Sequence, residues 1–236
     1  VVRLVGSEMC IRDRLKMTSA YSSFVNGGKL VEPIFIDRIQ DSGGKTIFKN
    51  QIRFCKDCDL ISYTSENLPQ IKNNYKQIFS PQTAYQMTSI LEGVVQRGTG
   101  KKLKDLNLQL AGKTGTTNKN TDAWFIGFTS NLVIGVYVGF DNPRTLGKFE
   151  TGSKTALPIF KEFVKNSVNN HEARPFKVAK GIKMMVVDAS TGKKADSNSK
   201  STIIESFKEE KIANNNKIDI DNICLLYTSD AADDIP

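Results

Sequence analysis

One histidine and four cysteines are all this 236-residue chain has of the side chains that most often hold transition metals. The histidine, His171, is distant from the one closely spaced thiol pair, Cys55-Lys56-Asp57-Cys58, and the other two thiols lie towards the chain ends. A zinc site at that pair would lack two ligands. A thioredoxin-type redox motif would need a strand–helix setting, whereas the flanks here are polar. A local disulfide between Cys55 and Cys58, permitted in an oxidising compartment, is the mildest reading, with free thiols next. No metal site is expected.

Long apolar runs are missing too. No stretch reaches membrane-spanning length and no signal-peptide pattern opens the chain. Either the chain is cytosolic or its targeting segment lies upstream. Basic residues outnumber acidic ones, 33 to 25, and the net charge of +8 favours anionic surroundings such as a wall polymer, a membrane face or nucleic acid. No basic run is interleaved with aromatics, so nucleic acid is not expected as a partner. What is present is globular in composition, 39% hydrophobic and 25% charged, enough for one ordinary domain with or without a small appendage.

Both ends look foreign to the rest. Residues 1–14, with Ser7-Glu8-Met9-Cys10-Ile11-Arg12-Asp13-Arg14, and residues 223–236, with Cys224-Leu225-Leu226-Tyr227-Thr228-Ser229-Asp230, resemble translated sequencing-adapter read-through. The division expected is therefore a main body at 15–171 carrying an insertion at 49–79, then an extension at 172–222.

Within the body, Met17, Ala20, Tyr21 and Phe24 suit one helix face over 15–24, stopped by Asn26-Gly27-Gly28. Residues 31–39 read as a strand entered at Pro33, turning at Asp41-Ser42-Gly43-Gly44 into Lys45-Thr46-Ile47-Phe48. Residues 49–79 read as polar and irregular. Ser80-Pro81 opens a helix whose buried stripe is Ala84, Met87, Leu91, Val94 and Val95, closed by Arg97-Gly98-Thr99-Gly100. A basic loop over 101–107 follows. Residues 153–168 form a second amphipathic helix with Ala156, Ile159, Phe160, Phe163 and Val164 inward. Beyond 172, short strands at 182–187 and 203–207 flank a turn at Asp188-Ala189-Ser190-Thr191-Gly192, in what reads as a loosely packed tail without chemistry.

The stretch Ala111-Gly112-Lys113-Thr114-Gly115-Thr116-Thr117 concentrates the chemistry. Two Gly-punctuated apolar runs follow at 123–128 and 132–139, joined by short polar links, so three consecutive antiparallel strands are expected. Gly115 has no side chain, which lets an acyl group lie against the strand backbone. Lys113 brings a cation that can hold negative charge and help relay a proton. The Thr114 and Thr116 hydroxyls can bind a carboxylate, and the Thr116 N–H can face a developing oxyanion. A phosphate-binding P-loop also ends in Gly-Lys-Thr, but it needs glycine at position 107, which is Asn107.

A Lys-Thr-Gly triplet on such a strand is the third signature of the penicillin-interacting serine acyl transferases. The residues Ala20-Tyr21-Ser22-Ser23-Phe24-Val25-Asn26-Gly27-Gly28 with Glu32-Pro33, Gly93-Val94-Val95-Gln96-Arg97-Gly98-Thr99-Gly100, Asp122-Ala123-Trp124-Phe125-Ile126-Gly127-Phe128 and Gly139-Phe140-Asp141 resemble class A penicillin-binding proteins. The Cys55/Cys58 insertion and the Thr191-Gly192 turn with Glu205-Ser206-Phe207 are similar to the 1A type, and the order is kept from Leu15 to Phe207. The resemblance implies an α/β (α+β) fold, an antiparallel sheet flanked by helices, β-lactamase/transpeptidase-like and incomplete at the N-terminus. It implies a serine-type D-Ala-D-Ala transpeptidase that cross-links peptidoglycan stem peptides and is acylated by β-lactams, with no cofactor. Lys113 would be catalytic; Thr114, Gly115, Thr116 and Thr117 would bind substrate. An upstream anchor would hold the protein at the periplasmic face of the inner membrane, attached to a glycosyltransferase half.

The family's Ser-x-x-Lys nucleophile and Ser-x-Asn motifs should precede Ala20, and the chain has no room for them. Ser42-Gly43-Gly44-Lys45 has the first spacing, but two glycines in a turn cannot place serine and lysine on one helical face. Ser197-Asn198-Ser199-Lys200, Ser65-Glu66-Asn67 and Ser167-Val168-Asn169 lie in a tail, an insertion and a helix end. The expectation is the C-terminal part of a transpeptidase domain without its nucleophile; a wall-binding module and a serine β-lactamase-like hydrolase are the alternatives.

Overall fold

The computed structural model describes residues 7–50, 53–56, 70–73, 75–168, 174–197 and 199–209, with backbone only at 7–13, 53–56 and 70–73. Helix α1 (Ser7–Val25) starts ahead of the expected Leu15 and crosses the boundary drawn at residue 14 without a break. Strands β1 (Arg38–Gln40) and β2 (Thr46–Lys49) form an antiparallel hairpin. In its turn the Asp41 carboxylate accepts from the N–H groups of Gly43 and Lys45, and Gly44 takes φ +82°. Of the strand expected over 31–39, only Arg38 and Ile39 join this ladder; Pro33 has no N–H to give one.

The polar segment 49–79 is not irregular throughout. Strands β3 (Arg53–Lys56) and β4 (Gln70–Asn73) pair antiparallel inside it. Four-residue strands are too short to leave a clear alternation in the sequence. Cys55 lies on β3, and Cys58 lies outside the described residues, as do His171 and the Ser65-Glu66-Asn67 motif.

Helix α2 (Pro81–Gln96) begins as the sequence requires. Ser80 Oγ accepts from the Thr83 N–H at 3.2 Å, and Pro81 occupies the first turn, where no N–H is needed. Ala84, Leu91 and Val95 are buried, whereas Met87 and Val94 are only partly so. Thr88 joins the buried face by donating its hydroxyl to the Ala84 carbonyl. The segment read as a basic loop is instead a 3-10 helix, Lys101–Leu106, anchored by fully buried Leu103.

Strands β5 (Ala111–Thr116), β6 (Asp122–Phe128) and β7 (Val133–Gly139) form the expected three-stranded antiparallel sheet in that order. Alternation gives it two covered faces. On one, Phe125 meets Phe160 edge-on with ring centres 4.7 Å apart, among Val95, Leu103, Leu110 and Leu157. On the other, Ala111 and Phe128 pack with Leu91 and Phe176, flanked by Tyr21 and Phe24 of α1. Each such large apolar side chain contributes about 1.5–3 kcal/mol on burial.

The second amphipathic helix is preceded by a π-helical turn, Gly152–Ala156, before α3 (Leu157–Ser167). Ala156, Phe160 and Val164 face inward as expected, but Ile159 and Phe163 are exposed, at 51% and 49%. Leu157, rather than Ile159, completes the buried stripe.

Strands β8 (Ile182–Asp188) and β9 (Thr202–Lys208) form an antiparallel hairpin that is docked, not loose. Gln86 and Gln82 of α2 donate to the carbonyls of Ser206 and Lys180, each at 2.9 Å, and Lys208 donates to the Thr83 hydroxyl. Arg97 pairs with Glu205. Phe176 is buried against Phe128. The two strands were expected, but their docking escaped the sequence reading because its partners lie about a hundred residues back along the chain. No helix among the described residues is long and apolar enough to cross a membrane.

Candidate active site

The register of β5 on β6 sets Lys113 opposite Ile126, Thr114 opposite Phe125, Gly115 opposite Trp124 and Thr116 opposite Ala123. Lys113 and Gly115 thus share the α1 side of the sheet, and Thr114 and Thr116 the α3 side. The α1 side is closed closely: the Thr18 hydroxyl occupies the space a Cβ would fill at Gly135, the β7 partner of Ile126.

β5 is an edge strand of this sheet, and Lys113 folds round the edge. Its Nζ donates to the Thr114 carbonyl at 2.9 Å and lies 3.5 Å from Thr114 Oγ1. Thr114 is buried, and its hydroxyl is 2.9 Å from that of Thr99, in the loop that ends α2. The Thr114 hydroxyl is therefore within 3.5 Å of the Lys113 cation and within 2.9 Å of a second hydroxyl.

Thr116 Oγ1 accepts from the Gly152 N–H at 3.0 Å, which leaves the hydroxyl proton to be donated. Gly152 packs directly on the ladder: a Cβ there would sit 2.6 Å from the Gly115 carbonyl oxygen and 3.0 Å from its nitrogen. On the other face, a Cβ at Gly115 would lie 3.1 Å from Trp124 Cβ. The Gly115 peptide is held between these two neighbours, and its missing side chain is what lets the strand run bare there.

Thr117 is exposed and serves the turn into β6. Its hydroxyl accepts from the Asp122 N–H at 2.8 Å and lies 2.8 Å from the Thr121 hydroxyl. Asp122 in turn accepts from the Tyr137 hydroxyl at 2.8 Å, and the Tyr137 ring packs on Trp124 with centres 4.8 Å apart. The structure thus brings Lys113, Thr114, Gly115 and Thr116 into one strip and places Thr117 at its end, in the turn.

Thr99 and Gly152 are the residues that sequence reasoning passed over. Gly98-Thr99-Gly100 stood out as a helix stop and as part of the family resemblance, without a role for Thr99, and nothing in the loop before residue 153 marked Gly152.

Two carboxylates behind the strip are perturbed. Burial raises the pKa of Glu92, against its hydrogen bond from Gln109 and the charge of Arg97. Burial also raises that of Glu205, against the Arg97 guanidinium beside it. Neither touches Lys113 in the contacts described. Ser42 and Lys45 bracket the tight β1–β2 turn, so their pairing in a helical nucleophile motif is excluded by geometry. Ser167 ends α3, with Asn169 outside the described residues; Asn198 of the remaining decoy also lies outside them. Among the described residues no group of three or more His, Cys, Asp or Glu could hold a metal ion.

Residues 14–165 match the penicillin binding protein transpeptidase domain. Penicillin-binding protein 1A of Rickettsia conorii is 41% identical over 199 residues, 84% of this chain and 25% of that protein. The namesake from Pseudomonas aeruginosa is 30% identical over 226 residues, 83% of this chain and 28% of that protein. The crystal structure of penicillin-binding protein 1A from Haemophilus influenzae superposes with a TM-score of 0.68 at 30% identity, covering 83% of this chain and 32% of that one. The chain thus spans about a quarter of the length of these curated relatives. Family match, relatives and fold agree, and the chain belongs to the penicillin-binding protein transpeptidase family.

Proposed function

We propose that this chain is the C-terminal part of a peptidoglycan D,D-transpeptidase domain, within a bifunctional glycosyltransferase/transpeptidase anchored at the periplasmic face of the inner membrane. The observation that carries the reading is the strip itself, with Lys113 Nζ on the Thr114 carbonyl, Thr114 on Thr99, and the Gly115 peptide bare between Trp124 and Gly152. A stem peptide ending in D-Ala-D-Ala would lie along β5. Its carboxylate would meet the Thr114 and Thr116 hydroxyls and the Lys113 charge, and its scissile carbonyl oxygen would face the Thr116 N–H.

The nucleophilic serine attacks that carbonyl, D-alanine leaves with a proton relayed in the Lys113 neighbourhood, and the acyl group passes to an amine on a second stem. A β-lactam enters the same strip and acylates the same serine. That serine is supplied by residues outside the 236 given, because each Ser/Lys and Ser/Asn spacing in the chain falls in a turn, tail, insertion or helix end.

Labelling with a fluorescent penicillin tests this directly. The full-length protein becomes covalently labelled, and Lys113→Ala loses at least about a hundredfold in labelling rate. The 236-residue chain alone is not labelled. A stable serine-linked adduct on the short chain would overturn the placement of the nucleophile, and an unlabelled full-length protein would leave a wall-binding module instead.

A further inference from the structure

We infer that Thr99 is a positioning residue for the carboxylate-binding hydroxyl of Thr114, held in place by the Arg97–Glu205 pair; this rests on the transpeptidase reading above. The turn that carries Thr99 is folded back on α2. Arg97 N–H donates to the Gly93 carbonyl at 2.8 Å, and the N–H groups of Gly98 and Gly100 both donate to the Val94 carbonyl at 3.0 Å. The Arg97 guanidinium lies across Gly93, where a Cβ would come within 2.8 Å of Nη2. From there it pairs with Glu205 on β9, a residue 108 positions further along the chain. The docked hairpin therefore pins the residue two places before Thr99, and Thr99 is delivered with its hydroxyl 2.9 Å from Thr114 Oγ1.

Proton accounting gives Thr99 its role. A hydroxyl has a single proton, and an ammonium offers donors only. For Thr114 to donate to a substrate carboxylate, its proton must point at the substrate, and the bond to Thr99 must then run from Thr99 to Thr114. Thr99 O–H thus supports Thr114 from behind, and hydrogen bonds in such a chain polarise one another. Lys113 Nζ, 3.5 Å from the same oxygen, is too far to supply that bond at full strength. Thr99 sits in the loop behind the strand and acts on the carboxylate through Thr114.

The test uses the full-length protein with Thr99→Val, Thr99→Ala, Thr99→Ser and Thr114→Val, and the double variant T99V/T114V. The second-order acylation rate is measured with a fluorescent penicillin and with its methyl ester. With the free carboxylate, Thr99→Val and Thr99→Ala slow acylation roughly tenfold, while Thr99→Ser stays within about twofold of wild type. The ester shows little difference among them, and the double variant is no slower than Thr114→Val alone. Equal losses on penicillin and ester would make Thr99 merely structural and overturn the inference. So would unchanged rates, or failure of both hydroxyl-less variants to fold. A wild-type protein that is never acylated would instead remove the transpeptidase reading, and the inference with it.

Discussion

Gly152 rests on the Gly115 peptide from the face opposite Lys113, so closely that a single methyl group at 152 would collide with the Gly115 and Trp124 carbonyl oxygens. The same residue gives its N–H to Thr116. Gly152→Ala is therefore expected to destabilise the fold by about 1–3 kcal/mol through overpacking. It should also slow penicillin labelling of the full-length protein more than an equally destabilising core change does. Thermal midpoints beside labelling rates decide it; loss of stability alone would reduce Gly152 to a packing position.

Phe160 is fully buried and meets Phe125 at 4.7 Å between ring centres. Truncating it to alanine should cost about 3–5 kcal/mol. A denaturant titration reads this as a lower midpoint at unchanged slope. A cost below about 1 kcal/mol would mean that this core closes over the gap.

Glu205 and Glu92 both have pKa values raised above the ordinary 4.5 by burial, partly offset by Arg97. The folded state then holds protons that the unfolded state releases. Stability should fall as pH rises from about 4.5 towards each raised value, and level off above it. Glu205→Gln and Glu92→Gln should each flatten part of that slope. Variant and wild-type curves that stay parallel between pH 4 and 7 would contradict the assignment.

Asp188 shows the opposite sign. Its carboxylate accepts from the Ser190 hydroxyl and from the N–H groups of Ser190 and Thr191, which pull its pKa down to about 2. Its contribution is complete above the ordinary 3.8 and fades as pH falls towards 2. At neutral pH, Asp188→Ala should speed amide exchange in β8 and β9 and leave β5 to β7 unchanged. Faster exchange spread evenly over both sheets would mean that the hairpin does not open independently.

Local signals carried much of this fold. The Gly-punctuated apolar runs announced β5, β6 and β7, and Ser80-Pro81 announced α2, because strand alternation and helix capping act within a few residues. The reading failed where distant contacts decide. On α3 the expected Ala156, Phe160 and Val164 are buried, but Leu157 joins them while Ile159 and Phe163 are exposed, because which flank of an apolar stripe is covered depends on neighbours brought up from elsewhere in the chain. The extension looked loose because Arg97 and Glu205, or Gln109 and the Phe176 N–H, meet only in three dimensions. At the site, Lys113 to Thr116 could be named from one strand, whereas Thr99 and Gly152 reach that strand from other elements.

The facing glycines Gly112 and Gly127 leave a slot in the sheet. A Cβ at Gly127 would come within 2.7 Å of both the Phe125 and Phe160 rings, and one at Gly112 within 2.9 Å of Phe125. The observed alignment of β5 on β6 presents bare backbone to those rings, and neither neighbouring alignment does. A slip of one residue would send either Ala111 or Lys113 into the slot, and would turn every side chain of the strand to the opposite face. The rings thus work as a key that rejects both one-residue slips and leaves the lysine emerging on its own side. Where the charge stands is decided by aromatic carbon that never touches it.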